Sequence, residues 1–162
     1  MSKNTLVVID VQNYFVNKHT KTLPKKIKKL IQTNDFDYVV FSKYVNNLKS
    51  NHYKILQWDE CQNSPSIDID AELLEFTDSK NVFVKNTYSI FKSTMLDFFK
   101  QENIHKIYLA GIDIDACVLA SAFDGFDLGY DVKILQDFCL SHFGEEFNYF
   151  ALKIMHKNLI CQ

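Results

Sequence analysis

The chain alternates short, uninterrupted apolar segments with longer segments of helical periodicity, and this alternation constrains its fold more than any other feature. The first such segment, TLVVI, is apolar throughout and rich in β-branched residues, as is typical of a strand buried on both faces. Strands separated by helices form βαβ crossovers and hence a parallel sheet with helices on both faces. The predicted strands are Thr5–Ile9, Tyr38–Ser42, Asn81–Val84, Lys106–Ala110, Val132–Leu135 and a short Leu159–Cys161.

Helical periodicity predicts the elements between these strands. We find no repeat, linker or low-complexity tract, so residues 1–162 are predicted to form a single α/β domain. The least regular segment, Asn46–Ile69, is polar and contains Pro65, and it is predicted to be a loop over a site. The predicted helices are Lys25–Gln32, Ser89–Gln101, Asp115–Leu128 and Glu145–His156.

Composition and charge argue against several classes of protein. The 18 basic and 20 acidic side chains give a net charge of −2, which disfavours a nucleic-acid-binding surface. No segment approaches the roughly 20 apolar residues of a membrane span, and Asp10 interrupts the apolar run that a signal peptide would need. The four cysteines have no CxxC spacing and are predicted to be reduced thiols. We therefore expect a cytoplasmic protein with no membrane or nucleic-acid partner.

Three chemically reactive residues follow predicted strands. Asp10 ends the first strand, Lys85 ends the third, and Cys117 follows the fourth at the start of a predicted helix. Open parallel sheets bind ligands beyond the carboxyl ends of their strands. A helix N-terminus lowers the pKa of a thiol, which predicts Cys117 as a nucleophile with Asp10 as its base and Lys85 as a stabilising cation. Alone, each residue has a plain structural interpretation, so the prediction depends on their convergence.

Three motifs carry a resemblance to a known family: DVQNYF (residues 10–15), VKNTYSIF (84–91) and AGIDIDACVLASAFDGFDLGYDV (110–132). Together they resemble the isochorismatase-like cysteine hydrolase superfamily, which includes nicotinamidases and N-carbamoylsarcosine amidohydrolases. The resemblance implies a Rossmann-like, three-layer α/β/α fold with a mainly parallel sheet of about six strands. It also implies a catalytic triad of Asp10, Lys85 and Cys117, and assembly as a homo-oligomer, a dimer or a tetramer.

The resemblance further implies a cis peptide bond that does not involve proline, between Ile112 and Asp113. In the family this bond turns backbone N–H groups, here those of Asp113 and Cys117, into an oxyanion hole. Nicotinamidases of this family carry an Asp-x-His pair and a further histidine that bind a metal. Between Phe41 and Val84 this chain has only His52, so we expect no metal and no cofactor, and the departure disfavours nicotinamidase activity.

Aromatic residues are candidates for the walls of a small-molecule site. Phe15 lies just beyond Asp10, Tyr44 lies past the end of the second strand, and Trp58 lies in the irregular segment. We predict that these three residues bind the substrate. Tyr88 and Phe91 are assigned to packing, whereas the roles of His142, Cys61 and Cys139 stay open.

The function that best fits these features is hydrolysis of a small amide or related C–N bond through a thioacyl-enzyme. Two alternatives stay open at this point. The first is a binding or scaffold protein that keeps the fold without turnover. The second is a thiol redox protein, which would need a resolving cysteine close to Cys117.

Overall fold

The sheet in the described part of the chain has five strands, all paired in parallel. The structure is a computed structural model that describes residues 3–159. The strand order is β3-β2-β1-β4-β5, which matches the predicted parallel α/β architecture. The predicted strand Leu159–Cys161 lies outside the described residues except for Leu159, which caps the last helix. The strands are β1 (Asn4–Ile9), β2 (Tyr38–Tyr44), β3 (Val82–Lys85), β4 (Lys106–Ile112) and β5 (Asp131–Leu140).

Helices cover both faces of this sheet, as the sequence predicted. Helix α1 packs on one face together with Leu6 and Val8 of β1. Helices α3, α4 and α5 pack on the other face together with Val7 and Ile9. Because both sets of β1 side chains are fully buried, the strand is apolar at every position from Leu6 to Ile9. The helices are α1 (Leu23–Thr33), α2 (Asn51–Lys54), α3 (Met95–Gln101), α4 (Leu119–Asp127) and α5 (Glu145–Asn158).

The predicted helix Ser89–Gln101 is wrong in its first half, because serine side chains replace helical hydrogen bonds there. The Ser89 hydroxyl accepts from the N–H of Phe91 at 3.2 Å, which begins a separate 3₁₀ turn, Ile90–Lys92. The Ser93 hydroxyl donates to the carbonyl of Ile90 at 2.7 Å and ends that turn. Such local bonds compete with helix continuation, and α3 starts only at Met95.

The largest further differences from the predicted boundaries are at β5 and α4. Strand β5 continues to Leu140, well beyond the predicted Leu135, because an irregularity in its pairing with β4 lets the strand pass the polar residues Gln136 and Asp137. The predicted helix Asp115–Leu128 begins instead with a wide, π-helical turn, Ile114–Val118, and α4 follows it.

A close approach between β1 and β4 requires glycine at position 111. Gly111 has a φ of +134°, and a Cβ atom there would lie 2.1 Å from the carbonyl oxygen of Ile9. This approach places the end of β4, and the turn that carries Cys117, beside the end of β1. Among residues 3–159, the helices are all too short or too polar to cross a membrane.

Candidate active site

The structure brings Asp10, Lys85 and Cys117 together at the carboxyl edge of the sheet. Lys85 Nζ lies 2.6 Å from Asp10 Oδ2 and 3.5 Å from Cys117 Sγ. The side chains of Asp10 and Lys85 are fully excluded from solvent, and Cys117 is 8% exposed. Each residue follows or ends a parallel strand, so the topology itself gathers the three at one edge.

Neighbouring groups fix the orientation of this triad. The Ser42 hydroxyl donates to Asp10 Oδ1 at 2.6 Å, so both carboxylate oxygens of Asp10 have a donor. Lys85 Nζ also donates to the carbonyl of Thr87 at 2.9 Å. With Asp10, Thr87 and Cys117 as partners, the ammonium group uses its three N–H donors. Such full satisfaction makes a buried ion pair tolerable in the interior.

The pKa of the Cys117 thiol shifts in the opposite direction from the one predicted. Burial raises this pKa, the Lys85 ammonium lowers it, and the Asp10 carboxylate raises it again, so the net shift is upward. The prediction of a lowered thiol pKa is therefore wrong, because burial penalises the thiolate more strongly than the Lys85 ammonium stabilises it. Burial also lowers the pKa of Lys85, but the charges of Asp10 and Cys117 outweigh this effect, and the net shift is upward. The Lys85 ammonium thus lies beside a neutral thiol.

A cavity of about 240 Å³ opens beside Cys117, and its walls are mostly aromatic. All three predicted substrate-binding residues, Phe15, Tyr44 and Trp58, line it. Tyr88, which we assigned to packing, lines it as well, whereas Phe91 is buried in the core. Of the remaining walls, Asp113 is a predicted site residue of the oxyanion hole, and Tyr14 and Ala116 directly adjoin the predicted residues Phe15 and Cys117, whereas the other walls come from segments that no sequence pattern connects to the site. The further lining residues are Tyr14, His52, Leu56, Asp113, Ala116, His142 and Phe143.

A histidine held by a buried carboxylate forms one polar wall of this cavity. Asp113 Oδ1 accepts from the backbone N–H of His142 at 2.7 Å, and Asp113 Oδ2 lies 2.6 Å from His142 Nδ1. Burial raises the pKa of Asp113, while the hydrogen bonds from His142 oppose that change. Since a carboxylate only accepts, the pair places the ring proton on Nδ1 and leaves Nε2 available to a ligand.

His52 supplies the second imidazole of the cavity wall. Its ring centroid lies 4.4 Å from that of Tyr88 and 5.1 Å from that of Tyr44, both in edge-to-face geometry. Burial and the nearby Lys85 lower the pKa of His52, so the ring is neutral at pH 7. Within the described residues, Nδ1 of His52 is buried and has no hydrogen-bond partner.

The peptide bond between Ile112 and Asp113 is cis in this structure. It lies at the end of β4, directly before the turn that carries Cys117. The other two described cysteines lie away from the cavity walls: Cys61 Sγ is 3.8 Å from the carbonyl of Tyr44, and Cys139 Sγ is 3.5 Å from that of Leu109. Burial raises the pKa of each of these thiols to about 12.

Metal ligands are not grouped in this site. Within residues 3–159, no three His, Cys, Asp or Glu side chains are placed to hold one ion. His52 and His142 each contribute a ring nitrogen to the cavity, but Asp113 is already occupied by His142.

Comparison with known proteins relates nearly the whole chain to one family. The sequence profile of the isochorismatase domain matches residues 4–160. The chain is 28% identical over 181 residues to the uncharacterized isochorismatase family protein YaaI of Bacillus subtilis, which covers 100% of this chain and 94% of that protein.

Two solved structures share the fold. The pyrazinamidase/nicotinamidase of Streptococcus mutans superposes with a TM-score of 0.81 at 22% identity, covering 95% of this chain and 96% of that one. The N-carbamoylsarcosine amidase of Thermoplasma acidophilum superposes with a TM-score of 0.78 at 18% identity, covering 97% of this chain and 92% of that one. At these identities the superpositions establish the fold.

Proposed function

This chain belongs to the isochorismatase family, and from that premise we propose that it is a cysteine hydrolase that cleaves a C–N bond of a small amide or ureido compound. Cys117 is the nucleophile, Asp10 is the general base, and Lys85 is the stabilising cation. The observation that carries the proposal is the contact of one buried ammonium with both other groups, at 2.6 Å from Asp10 Oδ2 and 3.5 Å from Cys117 Sγ.

The reaction begins from a neutral thiol. As the substrate enters, the proton of Cys117 moves to Asp10, and the Lys85 ammonium stabilises the thiolate that forms. The thiolate sulfur attacks the carbonyl carbon, and the π electrons of the carbonyl move onto its oxygen. The backbone N–H groups of Asp113 and Cys117 are the donors that we assign to this oxyanion.

Collapse of the tetrahedral intermediate breaks the C–N bond. The proton held by Asp10 passes to the leaving nitrogen, so that ammonia or an amine departs and a thioacyl-enzyme remains. Asp10, again a carboxylate, then takes a proton from water, whose oxygen attacks the thioester carbon. Cleavage of the C–S bond releases the acid and returns the proton to Cys117.

The cavity supports a small, planar substrate. Its volume of about 240 Å³ and its aromatic walls suit a flat molecule that stacks or packs edge-on against Phe15, Tyr44 and Trp58. His142, oriented by Asp113, is the group that we assign to a polar substituent of the substrate. Amide and ureido substrates are those that the names of the nicotinamidase and the N-carbamoylsarcosine amidase indicate for those two proteins.

The proposal is tested by release of ammonia from a panel of small carboxamides and ureido acids. Replacing Cys117 by Ala or Ser removes the nucleophile and is expected to lower turnover by more than about a thousandfold. The matched control is Cys139→Ala, which removes a buried thiol on the same sheet edge and is expected to leave turnover within about twofold.

Intact-mass spectrometry with an active substrate provides a second measurement. Quenching during turnover should show a thioacyl adduct on the wild-type protein that is absent from Cys117→Ala. Turnover that survives in Cys117→Ala would overturn the proposal. An unreactive Cys117 with no turnover across the panel would instead favour the binding-protein alternative.

A further inference from the structure

A second cavity lies next to the one beside Cys117, and the two share a wall. The second cavity has a volume of about 410 Å³. His52, Leu56 and Tyr88 line both cavities, so these three residues form the shared wall. Because only this wall lies between the cavities, a single ligand that crosses it reaches both. The residues that line the second cavity alone are Lys49, Ser50, Asn51, Ile55, Asn86 and Thr87.

The lining of the second cavity is suited to a negatively charged group. Lys49 contributes an ammonium group, and Asn51 and Asn86 carry side-chain amides, whose N–H groups donate hydrogen bonds. Among the described residues that line this cavity, none is acidic. A carboxylate only accepts hydrogen bonds, and charge-assisted bonds to it are stronger than neutral ones. An anionic substituent therefore matches this lining better than a cationic one.

His52, in the shared wall, has a buried polar atom that needs a partner. The residue is 9% exposed, and within residues 3–159 its Nδ1 has no hydrogen bond. A ring nitrogen donates or accepts according to the tautomer, and buried polar groups without a partner are rare in folded proteins. A ligand carboxylate at the shared wall supplies the missing acceptor when the ring proton is on Nδ1.

Tyr88 is the movable part of the shared wall. Its ring centroid lies 4.4 Å from that of His52 in edge-to-face geometry, but the residue is 44% exposed. Exposed side chains change rotamer on the picosecond to nanosecond timescale. Rotation of the Tyr88 side chain towards solvent therefore opens the shared wall without disturbing the core.

The second cavity is also built on the turn that follows Lys85. Asn86, Thr87 and Tyr88 form this turn and line the cavity, and the carbonyl of Thr87 accepts from Lys85 Nζ at 2.9 Å. The same ammonium lies 3.5 Å from Cys117 Sγ. A substituent bound in the second cavity therefore contacts the segment that positions the catalytic cation, and it lies close to the rest of a substrate bound at Cys117.

We propose that the second cavity binds a carboxylate substituent of the substrate, held by Lys49 and by Nδ1 of His52 on the far side of the shared wall from the scissile C–N bond. The proposal rests on the proposed hydrolysis and deepens it, because it defines the substrate as an amide with a distant anionic group. Lys49 and His52 are then specificity-determining residues that take no part in bond cleavage. His142 lines only the cavity beside Cys117, so the carboxylate is a second substituent.

Binding to a variant without the nucleophile tests the proposal. The probes are benzamides that carry a carboxymethyl, carboxyethyl or carboxypropyl group para to the amide, and their neutral counterparts carry ethyl, propyl or butyl. In Cys117→Ala, isothermal titration calorimetry is expected to show that at least one anionic probe binds about tenfold more tightly than its counterpart. Addition of Lys49→Met or of His52→Phe should remove most of this preference. The matched control is Lys54→Met, at the last residue of α2, which should keep it.

A carboxylate without the amide distinguishes a substituent from an independent ligand. Phenylpropionate is expected to bind to Cys117→Ala at least about tenfold more weakly than the carboxyethyl benzamide. Equal binding would mean that the second cavity takes a separate anion, and it would overturn the proposal. So would the absence of an anionic preference in all three pairs, or a preference that both Lys49→Met and His52→Phe leave intact.

Ammonia release by the wild type, measured with the same probes, keeps the two proposals apart. Cys117→Ala binds without cleaving, so its binding preference does not depend on turnover. An anionic preference in binding without any release of ammonia would support the carboxylate site and count against the hydrolysis. Release of ammonia with no anionic preference would support the hydrolysis and overturn the carboxylate site.

Discussion

Asp113 accepts two hydrogen bonds from a single residue, His142, at 2.7 Å from its backbone nitrogen and 2.6 Å from its ring Nδ1. The two residues come from different strand ends, since Asp113 follows β4 and His142 follows β5. A buried carboxylate whose two oxygens both bind one histidine fixes the orientation and the tautomer of the histidine ring. In the proposed enzyme the side chains of this pair position the substrate, whereas Cys117, Asp10 and Lys85 carry out the reaction.

We therefore expect His142→Phe to weaken substrate binding and to leave the nucleophile intact. With an active amide from the panel, KM should rise by about tenfold, which corresponds to one lost hydrogen bond of about 1.4 kcal/mol. The rate of Cys117 alkylation by iodoacetamide should stay within about twofold of the wild-type rate. The control is His105→Phe, at an exposed histidine whose ring contacts Asn103. Equal losses in KM and in alkylation would contradict a positioning role.

Removal of Lys85 should destabilise the fold as well as the site. Lys85→Met leaves the buried carboxylate of Asp10 without its 2.6 Å partner, and an uncompensated buried charge costs about 3–5 kcal/mol of unfolding free energy. Urea denaturation measures this loss. The double variant Asp10→Asn, Lys85→Met removes both charges and should recover most of it.

The matched control for that experiment is Lys43→Met. Lys43 lies 3.7 Å from Asp68, and both partners are partly exposed, so its loss should cost less than about 1 kcal/mol. If Lys85→Met were as stable as Lys43→Met, the carboxylate of Asp10 would have to be protonated or solvated in the variant. That outcome would contradict the expectation that removal of Lys85 leaves an uncompensated buried charge.

The raised pKa of Cys117 predicts how its alkylation depends on pH. Since burial raises the pKa of the Cys117 thiol, the iodoacetamide rate at Cys117 should keep rising from pH 6 through pH 9, by up to about tenfold per pH unit. Because Lys85 lowers this pKa, Lys85→Met should make alkylation slower at every pH in this range. Peptide mass spectrometry resolves Cys117 from Cys61 and Cys139. A rate that levels off below pH 7 would mean that a thiolate is already present without substrate.

The sequence predicts which residues meet at this site, but it does not predict the direction of the thiol pKa. Parallel strands end at one edge, so residues that directly follow them, such as Asp10, Lys85 and Cys117, can be grouped from the sequence alone. The direction of the thiol pKa cannot be predicted in this way, because it depends on how completely the folded protein excludes water from Cys117. A helix start is visible in the sequence, whereas the burial that raises the thiol pKa is not.

The same limit explains the parts of the fold and the cavity that were missed. Tyr14, Tyr88 and His142 meet at the cavity only through tertiary packing, and no local pattern brings them together. The predicted strand β5 ends too early because Gln136 and Asp137 interrupt its apolar pattern. In the structure the irregular pairing with β4 accommodates these two residues. Hydrophobic periodicity predicts regular helices and strands, but it does not predict irregular strand pairing.

Gly111 provides a test of how the backbone brings the strand ends together. A Cβ atom at this position would lie 2.1 Å from the Ile9 carbonyl oxygen, directly before Asp10, and the φ of +134° disfavours any other L-residue. Gly111→Ala should therefore force β1 and β4 apart and cost more than about 4 kcal/mol of unfolding free energy. Gly129→Ala is the matched control, because Gly129 also has a positive φ, +83°, but a Cβ there meets nothing within 4 Å. That variant should lose only about 1–2 kcal/mol, and urea denaturation measures both values. Equal losses for the two alanine variants would mean that φ alone, and not the contact between β1 and β4, requires glycine at position 111.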